Sequence, residues 1–154
     1  MIKYVVILLF VIIILIILTL LRHPVPARDK LGTCSNVSQN IIFKCPSGHA
    51  YRLVFGVPKK EGKFKVSFVG TVTIYQKGVK IHRLVFDPNE LKEGNWLNKE
   101  GLDAYILNSI PGSFSALDSY IKKNEEYEVE IDFREMPPDG TSLWLCYLSL
   151  HSVL

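Results

Sequence analysis

Residues 126–133 read EYEVEIDF, a strict alternation of acidic and apolar side chains. Side chains of a strand point to opposite faces with a period of two, so the apolar residues share one face and the carboxylates share the other. Such a strand has one face in a hydrophobic core and the other in water, which is typical of antiparallel sheets. This stretch therefore predicts a half-buried strand in a β-rich fold.

Further strand patterns lie on both sides of it, in residues 41–44, 51–55, 64–74, 79–86 and 142–150. Turn residues separate them, and Gln76-Lys77-Gly78 predicts a hairpin. Residues 142–150 (SLWLCYLSL) are apolar on both faces, which predicts a central place in a sheet or one beneath a partner. Residues 31–154 are therefore expected to form one antiparallel β-sandwich, Ig-like or jelly-roll-like.

The N-terminus has a different character. Residues 4–21 carry no charge and are almost entirely apolar. As a helix this run is about 27 Å long, close to the thickness of bilayer hydrocarbon. We expect residues 1–21 to be a short tail and a transmembrane signal anchor. Val25-Pro26-Ala27 offers the alternative of a cleaved signal peptide. The prolines and charges of residues 22–30 predict a linker.

The side of the membrane depends on two opposing signals. Arg22, Arg28 and Lys30 follow the apolar run and only Lys3 precedes it, which by the positive-inside rule keeps the C-terminal domain in the cytoplasm. A very short tail before a long apolar run is instead typical of export signals. Export is the favoured interpretation, with a single pass through the inner membrane and a periplasmic, extracytoplasmic domain.

The net positive charge of the chain lies in its first 30 residues, where Lys3, Arg22, Arg28 and Lys30 outnumber Asp29. Taking these five from the totals of 18 basic and 15 acidic residues leaves 14 of each sign. A nucleic-acid-binding domain normally carries a basic surface. We therefore expect no nucleic acid as a partner, but the membrane and a protein at the envelope.

Residues 43–51 (FKCPSGHAY) place Cys45 and His49 around a Pro-Ser-Gly sequence. A structural zinc site needs a second close pair of ligands, and the sequence has none, so we expect a turn between two strands, with no metal and no cofactor. In an exported domain Cys34 and Cys45 are candidates for a disulfide. Cys146 would then be a small buried apolar residue.

Catalytic motifs are not evident. There is neither a Gly-x-Ser-x-Gly elbow nor a His-Glu-x-x-His helix. We expect that the protein is not an enzyme, with an envelope hydrolase as a further alternative, since triads can form from distant residues.

Two sets of residues are candidates for partner binding. The first lies in the long connection 87–113, where Trp96, Asn98 and Tyr105 stand near a predicted helical turn around residues 99–107. Trp96 and Tyr105 would either stack on a sugar or peptide, or close one end of the core. The second set is the acidic row Glu126, Glu128 and Glu130, followed by Asp132, which Lys63 and Lys65 would screen if they lie across it.

Two segments resemble a known group of proteins. FKCPSGHAYRLVF (residues 43–55) and IKKNEEYEVEI (residues 121–131) are similar to small exported β-sandwich domains of unknown function in proteobacteria. The resemblance covers residues 40–150. Some such domains act as immunity or accessory proteins at the cell envelope, so it implies binding rather than catalysis. We therefore expect a membrane-anchored interaction module, of the immunity type or an accessory subunit, with carbohydrate binding as the alternative.

Overall fold

The computed structural model describes residues 2–20, 25–59, 69–87, 91–107 and 120–149. One helix comes first, α1 (Ile2–Leu20), and strands follow. In chain order these are β1 (Val25–Thr33), β2 (Ser38–Lys44), β3 (His49–Pro58), β4 (Gly70–Gln76), β5 (Val79–Phe86), β6 (Lys92–Gly94), β7 (Leu102–Ile106), β8 (Glu126–Phe133) and β9 (Ser142–Ser149). A 3₁₀ turn at Asn98–Glu100 separates β6 from β7.

The strands form two antiparallel sheets. Sheet A has the order β1-β9-β3-β7-β6, and sheet B has the order β2-β8-β4-β5. Neighbours in both sheets run antiparallel throughout the described registers. The prediction of a mostly β fold in two antiparallel sheets is confirmed, and the arrangement is consistent with a β-sandwich.

The main core lies between the sheets. Phe55 of sheet A is 5.0 Å from Phe86 and 5.6 Å from Phe133 of sheet B, measured between ring centroids. The alternation of β8 is confirmed, because Tyr127, Val129, Ile131 and Phe133 are all buried while the acidic residues face outwards. Burying each such side chain contributes roughly 1.5–3 kcal/mol, so β8 is a major source of stability.

A second, smaller core lies on the outer face of sheet A. It contains Val54 of β3 and Cys146 of β9, both fully buried, with Leu97, Ala104 and Ile106. Strands β3 and β9 are therefore buried on both faces. This confirms, over residues 142–149, the central position predicted for residues 142–150, since β9 lies between β1 and β3.

The hairpin predicted at residues 76–78 is confirmed between β4 and β5. Lys77 and Gly78 both have positive φ, 51° and 76°. Two successive residues with positive φ are characteristic of a type I′ turn, whose twist matches that of the flanking strands. The turn between β2 and β3 is also confirmed at residues 45–48.

The linker predicted over residues 22–30 is wrong from residue 25 onwards. Val25–Thr33 is β1, which pairs with β9 at the edge of sheet A. Pro26 is compatible with this position because an edge strand leaves one side of its backbone unpaired. Charged residues such as Arg28 and Lys30 are common on edge strands, where they oppose aggregation.

The helical turn expected around residues 99–107 is mostly wrong. Only Asn98–Glu100 is helical, as a single 3₁₀ turn, and Leu102–Ile106 is β7. Gly101 ends the turn with φ of 70°, a left-handed conformation that glycine adopts without a steric penalty. The chain then pairs with β3, which supplies backbone hydrogen bonds that an isolated helix of this length would lack.

At the N-terminus, α1 carries its apolar side chains on the surface. Those of residues 4–16 are between 41% and 78% exposed. Across the residues that the structure describes, no helix meets the length and apolarity required of a membrane span. Leu21, Lys63, Lys65, residues 64–68, residues 108–113 and the end of the 142–150 pattern lie outside the described residues.

Candidate interaction surfaces

The segment from residue 91 to residue 101, here called the strap, covers part of the outer face of sheet A. Leu97 is a buried residue of the strap. It has no exposed surface and packs with Val54, Ala104 and Cys146. Trp96 is half-buried beside it. The strap, which contains β6 and the 3₁₀ turn, is therefore part of the folded core.

Charged side chains fix the strap to sheet A. The Arg28 guanidinium contacts Glu100 Oε1 through Nε at 2.9 Å and through Nη2 at 2.7 Å. Its Nη1 donates to the Trp96 carbonyl oxygen at 3.3 Å. The Arg52 guanidinium lies 5.7 Å from the Trp96 ring centroid, a cation–π distance. Two arginines on β1 and β3 therefore hold two points of the strap.

The structure separates the three residues predicted in the long connection. Trp96 and Asn98 belong to the strap, and the Asn98 side-chain oxygen accepts a hydrogen bond from Lys59 Nζ at 3.3 Å. Tyr105 is only 8% exposed and belongs to the core between the sheets. The burial of Tyr105 agrees with the alternative that this residue closes the core. No aromatic platform forms between Tyr105 and Trp96, because the two rings lie on opposite faces of sheet A.

The inward direction of Tyr105 follows from its strand. Tyr105 pairs with Phe55, whose ring is in the main core, and cross-strand partners share a face. The alternation of Leu102, Ala104 and Ile106 with Asp103 and Tyr105 is a strand signal. The expectation of a helical turn concealed it.

The acidic row lies on the outer face of sheet B. Glu126 is exposed, and Glu128, Glu130 and Asp132 are half-buried. Neutral donors from the neighbouring strands contact the row: Ser38 Oγ donates to Asp132 Oδ1 at 2.6 Å, Asn40 Nδ2 to Glu128 Oε1 at 2.7 Å, and Tyr75 OH to Glu130 Oε2 at 2.7 Å. These bonds orient three carboxylates without neutralising their charge.

Tyr75 responds to this environment. Its hydroxyl donates to Glu130, and deprotonation would place a phenolate beside a carboxylate, so the hydrogen bond raises the pKa of Tyr75 above 10.0. Slight burial and the charges of Glu130, Glu128 and Asp132 raise the pKa further. The neutral phenol therefore remains a donor to the row at physiological pH.

The predicted disulfide between Cys34 and Cys45 is wrong. All three cysteines carry thiols. Cys34 precedes β2 and Cys45 directly follows it, so a seven-residue strand about 20 Å long separates them. A disulfide requires Cα atoms closer than about 7 Å. The backbone of Cys34 bonds to Thr141, whereas that of Cys45 bonds to Glu125, at opposite ends of the sandwich.

The 43–51 stretch forms the turn that was predicted. The Tyr51 hydroxyl lies 2.6 Å from the Pro46 carbonyl oxygen and 2.9 Å from that of Gly48, so one ring closes the turn. Cys45 points into the core and His49 is exposed. Within the described ranges, no three His, Cys, Asp or Glu side chains converge as a metal site.

Several contributing residues were not identified from the sequence. Arg28 lies 72 positions from Glu100, and Asn40 lies 88 positions from Glu128. Such contacts depend on the strand order β2-β8-β4 and β1-β9-β3, which the sequence does not specify. Alternation within a single strand gives the face of a residue but not its neighbours.

The chain was also compared with known proteins. No family model, no curated protein and no solved structure matches it. The resemblance to exported sandwich domains stays a prediction. Its function can therefore be inferred only from the surfaces of this chain.

Proposed function

We propose that this protein is a binding module anchored in the membrane by α1, whose paired sheets present an interaction surface to a protein partner at the cell envelope. The observation that carries the proposal is the surface of α1, where thirteen consecutive apolar side chains, residues 4–16, are exposed. Exposed apolar area in water costs roughly 25 cal/mol per Å². Lipid is the environment that removes this cost for every side of the helix at once.

We place the sandwich on the extracytoplasmic side of the inner membrane, in a single-pass arrangement. The support is the long uncharged apolar run of residues 4–21, which is typical of an export signal that is retained as an anchor. A C-terminal fusion to alkaline phosphatase, which is active only outside the cytoplasm, tests the orientation. An inactive phosphatase fusion, together with a fluorescent cytoplasmic reporter fusion, would show that the sandwich lies in the cytoplasm.

Two surfaces are proposed for the partner, an immunity-type target or the rest of a membrane complex. The acidic row is the better supported, because hydrogen bonds from Ser38, Asn40 and Tyr75 preorganise its carboxylates. Preorganised charges reduce the ordering that binding requires and favour a basic partner. The strap is the second surface, at the exposed Asn98 and the half-buried Trp96.

Site-specific photo-crosslinking in cells tests these surfaces. A photoreactive residue is placed at Glu126 on the row, at Asn98 on the strap, and at Asp139 in an exposed turn as the control position. We expect one adduct of discrete mass from Glu126 that is absent from Asp139 and lost when Glu128→Gln and Glu130→Gln are added. An identical set of adducts at all three positions would contradict a specific surface.

The carbohydrate alternative now depends on Trp96 alone. Its ring already faces Arg52, and Tyr105 is in the core. Saturable glycan binding that is lost in Trp96→Ala would support carbohydrate binding. The envelope-hydrolase alternative gains no supporting contact among the described residues.

A further inference from the structure

One end of the sandwich is defined by four pieces of chain that meet there. They are the start of β1, the end of β9, the β2–β3 turn and the β4–β5 turn. Val25 pairs with Ser149, His49 pairs with Leu148, and the β2–β3 turn joins the last residue of β2 to His49. In sheet B, Lys44 pairs with Glu126 at the start of β8, and Tyr75, next to the β4–β5 turn, pairs with Glu128. We call this the proximal end, since β1 is the strand that follows α1.

The proximal end must lie near the end of α1. Five Cα–Cα steps separate Leu20 from Val25, and each spans at most about 3.6 Å, so the two residues are no more than about 18 Å apart. If α1 is in the lipid, the proximal end is therefore held close to the headgroups. This inference rests on the proposed membrane anchor.

Lysines from three separate connections are gathered at the proximal end. Lys44 ends β2, Lys77 and Lys80 belong to the β4–β5 hairpin, and Lys122 and Lys123 lie in the turn before β8. Backbone hydrogen bonds tie two of these connections together: Asn124 N–H donates to the Cys45 carbonyl at 2.8 Å, and Cys45 N–H donates to that of Glu125 at 2.9 Å.

These five lysines are available for an external anion. All five are exposed. Between described residues, the salt bridge found is that of Arg28 with Glu100, so none of these five lysines forms one there. The described carboxylates of the proximal turns are those of Glu125 and Glu126, so positive charge is in excess there. The near-neutral composition of the domain hides this local surplus.

We propose that the proximal lysines dock the sandwich on the anionic phospholipid headgroups of the membrane that holds α1. A lysine close to an anionic bilayer contributes roughly a fivefold increase in partitioning, and the attraction extends over about one Debye length, near 8 Å in physiological salt. The short tether keeps the end within reach, and lysine charges from several connections fix one face towards the lipid. In the docked state, the acidic row and the strap would face along the plane of the membrane. A partner in the same membrane could then contact them.

Lysine modification by mass spectrometry tests the proposal on the full chain. The protein is reconstituted in vesicles of phosphatidylcholine alone, or with about one third phosphatidylglycerol, and treated with a membrane-impermeant amine reagent. We expect the proximal lysines to react at least about threefold more slowly on the anionic vesicles. High salt, in which the Debye length falls to about 3 Å, should remove this protection. Lys59 follows the last residue of β3, and Lys99 belongs to the 3₁₀ turn. Both lie away from the proximal end, so they are internal controls.

A charge-reversed variant gives a second measurement. Changing Lys77, Lys80, Lys122 and Lys123 to Glu should abolish the protection of the remaining Lys44, whereas Lys59→Glu with Lys99→Glu should leave it intact. Equal modification of all lysines on both vesicles, with the chain still membrane-bound, overturns docking but not the anchor. A chain recovered with neither kind of vesicle overturns both proposals.

Discussion

At the scale of single residues, the three cysteines show how burial controls chemistry. Cys34, Cys45 and Cys146 are 3%, 1% and 0% exposed. Burial raises the pKa of the Cys34 and Cys146 thiols from 9.0 to about 12, and the nearby Arg28 and Arg52 charges only partly oppose the effect on Cys146. Thiolate is the reactive form of cysteine, so these thiols are inert while the fold is intact.

We therefore predict that native protein does not react with a thiol reagent at about pH 8, where the thiolate fraction of the shifted groups is about a thousandfold below its ordinary value. After denaturation without reductant, all three thiols should react. Mass spectrometry of alkylated protein measures both numbers. Only one reactive thiol in the denatured chain would restore the disulfide that the geometry rejects.

The same shifts predict a loss of stability in alkali. The folded-state pKa of each thiol is raised, so between pH 9.0 and about 12 the unfolded chain binds fewer protons than the folded one. The free energy of unfolding therefore falls as pH rises through this window, and it is unaffected by these groups below it. Urea midpoints from neutral pH upwards measure this fall, and Cys146→Ala should have a shallower one. An equal slope in Cys146→Ala would contradict the assignment.

Tyr75 allows a separate residue-level prediction. Its hydrogen bond to Glu130 is the largest cause of its raised pKa, so Glu130→Gln should lower that pKa towards 10.0. Absorbance of the phenolate on alkaline titration, with Tyr75→Phe to identify the signal, measures the change. Glu126→Gln is the matched control, because Glu126 is not among the causes of the shift. A similar shift from both substitutions would mean that net charge, and not the bond, sets the pKa.

At the scale of elements, the strap raises the question of which force holds it. Arg28 and Glu100 form a short ion pair, but their side chains are 32% and 38% exposed, and solvent screens such pairs to about 0–1 kcal/mol. Leu97 is fully buried, and truncating such a leucine to alanine costs about 2–5 kcal/mol. The apolar contact should therefore dominate.

We predict that Leu97→Ala lowers the free energy of unfolding several times more than Arg28→Ala or Glu100→Ala. Urea denaturation of the three variants gives the comparison, and Lys99→Ala, an exposed neighbour, should be close to neutral. The two charge variants should also lose their small effect in high salt, whereas Leu97→Ala should not. A larger effect from Arg28→Ala would show that the guanidinium network, including its bond to the Trp96 carbonyl, holds the strap.

The junction between β4 and β8 depends on a close backbone approach. A Cβ atom at Gly70 would contact the carbonyl oxygen of Asp132, and it would lie 2.8 Å from the Phe86 ring. Backbone cannot rotate away as a side chain can, so the strands would have to separate. We predict that Gly70→Ala destabilises the fold by about 1–3 kcal/mol or more, whereas Thr71→Ala is mild. Thermal unfolding of both variants checks this, and a neutral Gly70→Ala would mean that the strands adjust.

The elements also show how far sequence reasoning extends. The local sequence pattern correctly predicted three features, because each depends on neighbouring residues alone. They are the alternation of β8, the Lys77-Gly78 turn and the two-sided burial of β9. The start of β1 and the whole of β7 were missed, because each strand is stabilised by a partner distant in sequence. Pro26 and the charges of residues 22–30 indicated a linker in isolation, but pairing with β9 makes them an edge strand.

The candidate site was predicted less well than the fold, for the same reason. The acidic row was visible as an alternation, but its hydrogen-bonding partners come from β2 and β4. Tyr105 was correctly noted as an aromatic residue in a long connection. Its inward direction depends on the register with Phe55, which only the assembled sheet defines.

At the scale of the whole molecule, the chain combines two parts with opposite solvent requirements. The sandwich encloses most of its apolar side chains, including those on both faces of β3 and β9, although some, such as Ile42, Val79 and Val85, are exposed. α1 exposes apolar side chains all round. In the proposed arrangement lipid covers these side chains. The helix then anchors the chain in the membrane, the sandwich binds the partner, and the proximal lysines lie between the two.

The anchor gives the last prediction. A central arginine in a helix within lipid costs about 2.5–3.5 kcal/mol, so Leu9→Arg with Ile12→Arg should disfavour insertion by roughly twice that amount. We expect the wild-type chain to remain with membranes after alkaline carbonate washing, and the double variant to be released or to aggregate. Leu9→Ile with Ile12→Leu, which preserves apolar area, should behave as wild type. Circular dichroism of the released variant should still show a β-rich domain, since neither residue is in the described cores. A wild-type chain washed off by carbonate would remove the basis of the anchor, because the exposed apolar face of α1 would then require a protein partner to cover it.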